Sequence, residues 1–233
     1  MSEKPWLKFY PEWVPHHIDY PEIPLDAMLK QAAEKHPEAV AIIFEGLKMT
    51  YRELDEAVDR LAAALQDIGV EKGDRVAIML PNCPQFVIGY YATIRAGGIA
   101  MPMNPLYTER ELEYWFNYAE VKGVITLDIF YEKVAKVKDK TSLEFVVITS
   151  LKDYLPRVKA ILGSLLGKIP TAKVEPGPGI YFLKDLIKKY PPEPKPVEIN
   201  PKEDVACILQ TAGTTGTPKG VMLTHYNLSL IHI

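Results

Sequence analysis

Between Arg75 and Thr149 the chain repeats one alternation: a short apolar, β-branched run, then a stretch of helical length and spacing. Arg75 to Leu80, Ile99 to Met103, Val124 to Leu127 and Phe145 to Thr149 read as strands. Pro84 to Ala96, the residues after Thr108 up to Ala119, and Ile129 to Lys138 read as helices. Strands separated by whole helices pair in parallel, and a parallel sheet needs cover on both faces. The expected fold class is therefore α/β, with parallel-sheet layers, helices on both faces and right-handed crossovers. In such sheets ligands sit beyond the carboxyl ends of strands, which turns attention to the loops leaving them.

The flanking regions carry local signals of their own. Trp6 to Pro24 is rich in proline and aromatics and is expected to wrap the body in extended form. Leu25 to Lys35 has helical spacing and stops before Pro37, and Ala39 to Phe44 reads as a strand turned back at Glu45-Gly46. Thr50 with Glu53, and Thr108 with Glu111, are capping boxes; Gly69 closes the helix Tyr51 to Ile68. Leu155, Val158, Ile161, Leu162, Leu165 and Leu166 form one helical face, with Lys152, Arg157, Lys159 and Lys168 on or near the other. Such a helix either lies on an anionic membrane surface through Leu155 to Leu166 or simply packs on its own domain. Pro170 to Pro178 and Pro191 to Pro201 read as stiff loops around a short helix, Ile180 to Tyr190.

Composition excludes several functions. A length of 233 residues with a net charge of −3 and interspersed signs gives no basic stripe for nucleic acid. Cys83 and Cys207 lie far apart in apolar surroundings, which suggests packed, reduced thiols in a cytoplasmic protein. His16-His17 lacks further ligands at useful spacing, so a surface pair is expected and no metal site. No apolar run approaches a membrane span, and the opening residues do not read as a signal peptide.

Gln210-Thr-Ala-Gly-Thr-Thr-Gly-Thr-Pro-Lys-Gly220 follows the apolar run Val205 to Leu209. Glycines 213, 216 and 220 let the backbone turn tightly and bring N–H groups to an anion. Thr211, Thr214, Thr215 and Thr217 add hydroxyl donors, and Lys219 adds a point charge suited to phosphate. The ordinary phosphate loop places Ser or Thr after its lysine to hold magnesium; here Gly220 takes that place and Pro218 precedes Lys219. A kinase or NTPase of that type is thereby set aside, as is a dinucleotide fingerprint. His225, just beyond, either hydrogen-bonds within the site or starts the next helix.

Thr211 to Gly220 resembles the signature loop of the adenylate-forming superfamily, which embraces acyl-CoA synthetases, luciferases and peptide-synthetase adenylation domains. Ala212 stands where serine is usual in that loop. Met49-Thr-Tyr-Arg-Glu-Leu54, Gly73-Asp-Arg-Val76 and Arg95 to Asn104 resemble the family's earlier core motifs, and their content is structural. Trp6 to Pro15 and Ile18 to Leu25 look most like medium- and long-chain fatty acid–CoA ligases.

The resemblance implies a two-step reaction using ATP, magnesium and coenzyme A: a fatty acid becomes an acyl-adenylate, then a thioester. It assigns phosphate binding to Thr211, Gly213, Thr214, Thr215, Gly216, Thr217, Lys219 and Gly220, a catalytic role to Lys219 and a supporting place to His225. The expected organisation is an extended wrap over 1–24 and a partial adenylation domain over 25–233, the incomplete N-terminal domain of such an enzyme, cut off after the phosphate loop. Family members continue into further motifs and a mobile C-terminal domain carrying a lysine. A chain without them is expected to turn over no acyl-CoA, and the alternative is a truncated, non-catalytic nucleotide- or acyl-binding paralogue. Oligomeric state is not legible.

Overall fold

The computed structural model describes residues 4–167, 169–211 and 218–230. After a 3-10 turn at Leu7–Phe9, helix α1 (Leu25–Lys35) leads to strands β1 (Val40–Phe44) and β2 (Leu47–Thr50). These form an antiparallel hairpin whose corner residues, Glu45 and Gly46, both have positive φ. Such a pair of left-handed residues matches the twist of a two-residue hairpin loop. Helix α2 (Tyr51–Ile68) starts on its capping box, with Thr50 Oγ1 accepting from the Glu53 N–H and Glu53 reaching back to the Thr50 N–H. It ends on Gly69 at φ 109°, as the glycine predicts.

The alternation then unfolds as read: β3 (Arg75–Met79), α3 (Pro84–Arg95), β4 (Ile99–Pro102), α4 (Glu109–Tyr118), β5 (Val121–Leu127), α5 (Tyr131–Lys138) and β6 (Phe145–Thr149). Helix α6 (Arg157–Leu165), β7 (Ile180–Phe182) and α7 (Leu183–Lys189) follow, then β8 (Val205–Gln210), β9 (Gly220–Thr224) and α8 (His225–Leu230). Among the described residues β3 to β9 form one seven-stranded sheet in the order β7-β6-β5-β3-β4-β8-β9. All pairs are parallel except β8 with β9, whose connection is too short for a crossover. Alternate residues feed two cores. Val76 and Ile78 of β3, with Ile125 and Val147, meet Val58, Leu61 and Leu65 of α2 and Ile88 of α3. Ala77 and Met79, with Val124 and Val146, meet Leu112 and Phe116 of α4 and Val134 of α5. Helices thus cover both faces, as the alternation requires. Arg95, at the end of α3, ties the first layer together: its side chain lies 2.8 Å from Asp55 and Asp59 of α2 and 3.3 Å from Asp26 of α1.

Three readings are corrected. Ile180 to Tyr190 is not a single helix: Ile180–Phe182 pairs in parallel with Val146–Ile148 as the edge strand β7 before α7 begins. Strand β5 starts at Val121 rather than Val124, because Gly123, which breaks the apolar run, lies opposite Phe145. Helix α6 starts at Arg157, since Pro156 holds Leu155 in extended backbone at ψ 150°. Both cysteines are free and buried. No helix among the described residues is long and apolar enough to cross a membrane.

Candidate functional site: the loop between β8 and β9

The glycine-rich loop leaves the carboxyl end of β8, where ligands bind in open α/β sheets. It returns as β9, so it joins two antiparallel strands rather than a strand and a helix. Gln210 pairs with Gly220, and beyond that pair Thr211 donates from its N–H (2.9 Å) and its hydroxyl (3.1 Å) to the Lys219 carbonyl. The two ends of the loop are thereby pinned together. Thr211 and Lys219 are exposed. Gly213, Thr214, Thr215, Gly216 and Thr217 lie outside the described residues.

Helix α4 forms the wall beside the loop. Tyr114 Oη donates to the Pro218 carbonyl at 3.2 Å, and its ring stacks on Tyr118 with 5.6 Å between centres. A Cβ on Gly220 would come within 3.0 Å of Ile208 Cγ2 and 3.6 Å of the Tyr118 ring. A side chain there would require Ile208 to give way by a few tenths of an ångström. Tyr107, Arg110, Tyr114, Gln210 and Thr211 line a cleft of about 570 Å³ that opens against Pro218. Lys133 Nζ donates to the Pro105 and Tyr107 carbonyls, at 3.1 and 3.0 Å, and so fixes the segment carrying Tyr107. Burial first, and the Glu111 charge second, push the Tyr107 phenol above its usual pKa, which keeps it a donor. Gln210 Nε2, at this cleft, is buried and has no hydrogen-bond partner among the described residues.

Sequence reasoning missed Tyr107, Arg110 and Tyr114, and gave Gln210, the first residue of the loop stretch, no role of its own. The available signal was the aromatic density of Tyr114-Trp115-Phe116-Asn117-Tyr118, which exceeds what one buried helical stripe needs. His225 sits elsewhere. Thr224 pairs with Val205 while Gly220 pairs with Gln210, which puts His225 about 16 Å along the hairpin from the loop at ~3.3 Å per residue. There it is buried, begins α8, and accepts the Leu25 N–H on Nδ1 at 3.1 Å, capping α1. Of the two roles read for it, starting a helix is the one this geometry matches; a place beside the phosphates is not. Its pKa is lowered, by burial first, against the opposing pull of Asp26 and Asp204. His16 and His17 are exposed, and no group of three or more His, Cys, Asp or Glu able to hold a metal occurs among the described residues.

A second cleft, about 450 Å³, opens at the carboxyl ends of β5 and β6, lined by Asp128, Ser150, Lys152 and Asp153 among others. β5, β3 and β4 separate β6 from β8, so this cleft is not part of the loop site.

Residues 29–231 match the family model for the AMP-binding enzyme. The chain belongs to the AMP-binding enzyme family. A long-chain-fatty-acid–CoA ligase of Bacillus subtilis is 44% identical over 229 residues, 97% of this chain and 41% of that protein. Gramicidin S synthase 2 of Brevibacillus brevis is 30% identical over 92% of this chain and 4% of its own length. Among solved structures, a long-chain-fatty-acid–CoA ligase from Archaeoglobus fulgidus superposes with a TM-score of 0.75 at 30% identity, covering 95% of this chain and 40% of that one. This AMP-binding chain therefore spans about two fifths of the length of the ligases it matches.

Proposed function

We infer that this AMP-binding chain supplies the phosphate-binding part of an ATP-dependent fatty acid–CoA ligase. The observation that carries the reading is the glycine-rich segment pinned at its ends by Thr211 and Lys219 at the carboxyl end of β8, with Gln210, Thr211 and Pro218 lining the cleft beside Tyr107 and Arg110. In the proposed reaction a fatty acid carboxylate oxygen attacks the α-phosphorus of ATP, and the bond to the β-phosphate oxygen breaks to release pyrophosphate. The sulfur of coenzyme A then attacks the acyl carbonyl and AMP leaves. Neither step needs a protein nucleophile, so catalysis rests on positioning and on charge stabilisation. The backbone and hydroxyls of Thr211 to Gly220 receive the β- and γ-phosphates, and Lys219 stabilises the departing pyrophosphate or orders the loop. Magnesium bound to the nucleotide would offset phosphate charge; no group of three or more acidic, His or Cys residues able to hold it lies among the described residues. The domain assignment we favour is a wrap over 1–24 and a partial adenylation domain over 25–233.

Equilibrium binding of ATP to the 233 residues tests the site. Lys219→Ala is expected to weaken binding roughly tenfold, the worth of one charge-assisted contact. A chain that binds no ATP, or binds it equally well without Lys219, defeats the reading. The chain alone is expected to form no acyl-CoA, and ATP–pyrophosphate exchange with a long-chain fatty acid would refute that. The alternative reading is a nucleotide- or acyl-binding paralogue without catalysis. Binding without exchange, persisting in a chain of the ligases' full length, would select it.

A further inference from the structure

Helix α6 turns its apolar stripe outward. Val158, Ile161 and Leu162 occupy positions i, i+3 and i+4 of one face, and they are 67%, 61% and 52% exposed; Leu166, beyond them, is 65% exposed. A different side of the helix fastens it to the body. Lys159 Nζ donates to the Glu45 carbonyl at 2.6 Å and meets the Glu45 carboxylate at 3.2 Å, while Ile169 folds back onto Gly163. A surface helix ordinarily turns such a stripe into its own core, and contiguous exposed aliphatics mark a contact surface. The helix is fastened to its own domain, but Val158, Ile161, Leu162 and Leu166 are not buried there.

Charge indicates what covers the stripe. From Leu151 to Glu175 the sequence holds Lys152, Arg157, Lys159, Lys168 and Lys173 against Asp153 and Glu175, the latter paired with Lys173 at 2.6 Å, in a chain whose net charge is −3. A hydrophobic groove on a protein accounts for the stripe but not for this local excess of positive charge. An anionic bilayer accounts for both, with headgroup phosphates for the positive charge left over after the Lys159–Glu45 and Lys173–Glu175 pairs and the acyl boundary for the aliphatics. We propose that α6 docks this chain onto an anionic lipid bilayer, with Val158, Ile161, Leu162 and Leu166 buried at the headgroup–acyl boundary. The docking needs neither nucleotide nor turnover, so it stands or falls separately from the ligase reading.

The test is sedimentation of the full chain with vesicles of phosphatidylcholine alone and of equal parts phosphatidylcholine and phosphatidylglycerol. The chain should pellet with the anionic vesicles, less so as salt rises, and stay in solution with the neutral ones. Ile161→Glu combined with Leu162→Glu should lower the bound fraction at least ~10-fold with an unchanged circular dichroism spectrum. Met222→Glu, on an exposed apolar residue of β9, should bind as the wild type does. The proposal is overturned by equal pelleting of the double variant, by equal loss in Met222→Glu, or by a wild type that ignores both vesicles. A wild-type dimer that ignores vesicles and that the double variant makes monomeric would assign the stripe to a second copy instead.

Discussion

His225 was singled out for its nearness in sequence to the phosphate loop, yet its work is done at the start of α1. Its Nδ1 accepts the Leu25 N–H, one of the first-turn donors that a helix cannot satisfy internally. That bond requires a neutral ring, and burial lowers the pKa accordingly. The folded state then binds fewer protons at this residue than the unfolded chain, whose imidazole titrates near ~6.5. Stability from this group is present above that value and is lost as pH falls below it. Urea midpoints at pH 7 and pH 5 should therefore differ more for the wild type than for His225→Asn. Equal differences would mean that the ring is not held neutral in the fold. Asp204, whose pKa is lowered chiefly by its Lys72 hydrogen bond, contributes its own loss in acid, which is why the comparison with the variant is needed.

Strand β5 shows how one element is completed by its neighbour. Gly123 faces Phe145 across the parallel β5–β6 pair, and a Cβ there would fall 2.0 Å from the Phe145 ring. The ring covers the gap that glycine leaves, so Gly123→Ala forces Phe145 out of place in a core where it is 2% exposed. A destabilisation of ~1–3 kcal/mol is expected from such overpacking, read as a lower thermal or urea midpoint. A midpoint equal to the wild type's would show that the ring moves freely. The same pair explains what was legible beforehand and what was not. Helices α2 and α4 could be placed to within a residue or two because Thr50 with Glu53, and Thr108 with Glu111, are complete within four positions. The start of β5 and the existence of β7 depend on partners in other strands, and no local pattern carries that. The cleft was hidden for the same reason: Tyr107 and Tyr114 meet Gln210 and Pro218 only once α4 and the hairpin share one side of the sheet. The glycine loop itself was legible, since its chemistry is contiguous.

The molecule as a whole is fastened unevenly. β5 is laddered to both β3 and β6 over five residue pairs each, at the centre of two cores. β8 joins β4 through a single ladder pair, Ala100 with Cys207, while its hairpin with β9 has five. By ladder pairs the β8–β9 unit is knit more fully within itself than to the rest, to which packing of Ala206 with Leu25, Ile94 and Ala100 also holds it. Amide hydrogen exchange should resolve this as two populations, with β8 and β9 opening together at a lower free energy than β3, β5 and β6. A single exchange class across the sheet would contradict it. Nucleotide seated in the loop would then slow exchange in that hairpin first. On that expectation the edge carrying the glycine-rich segment comes loose and closes again as one unit, while the remainder of the sheet stays folded.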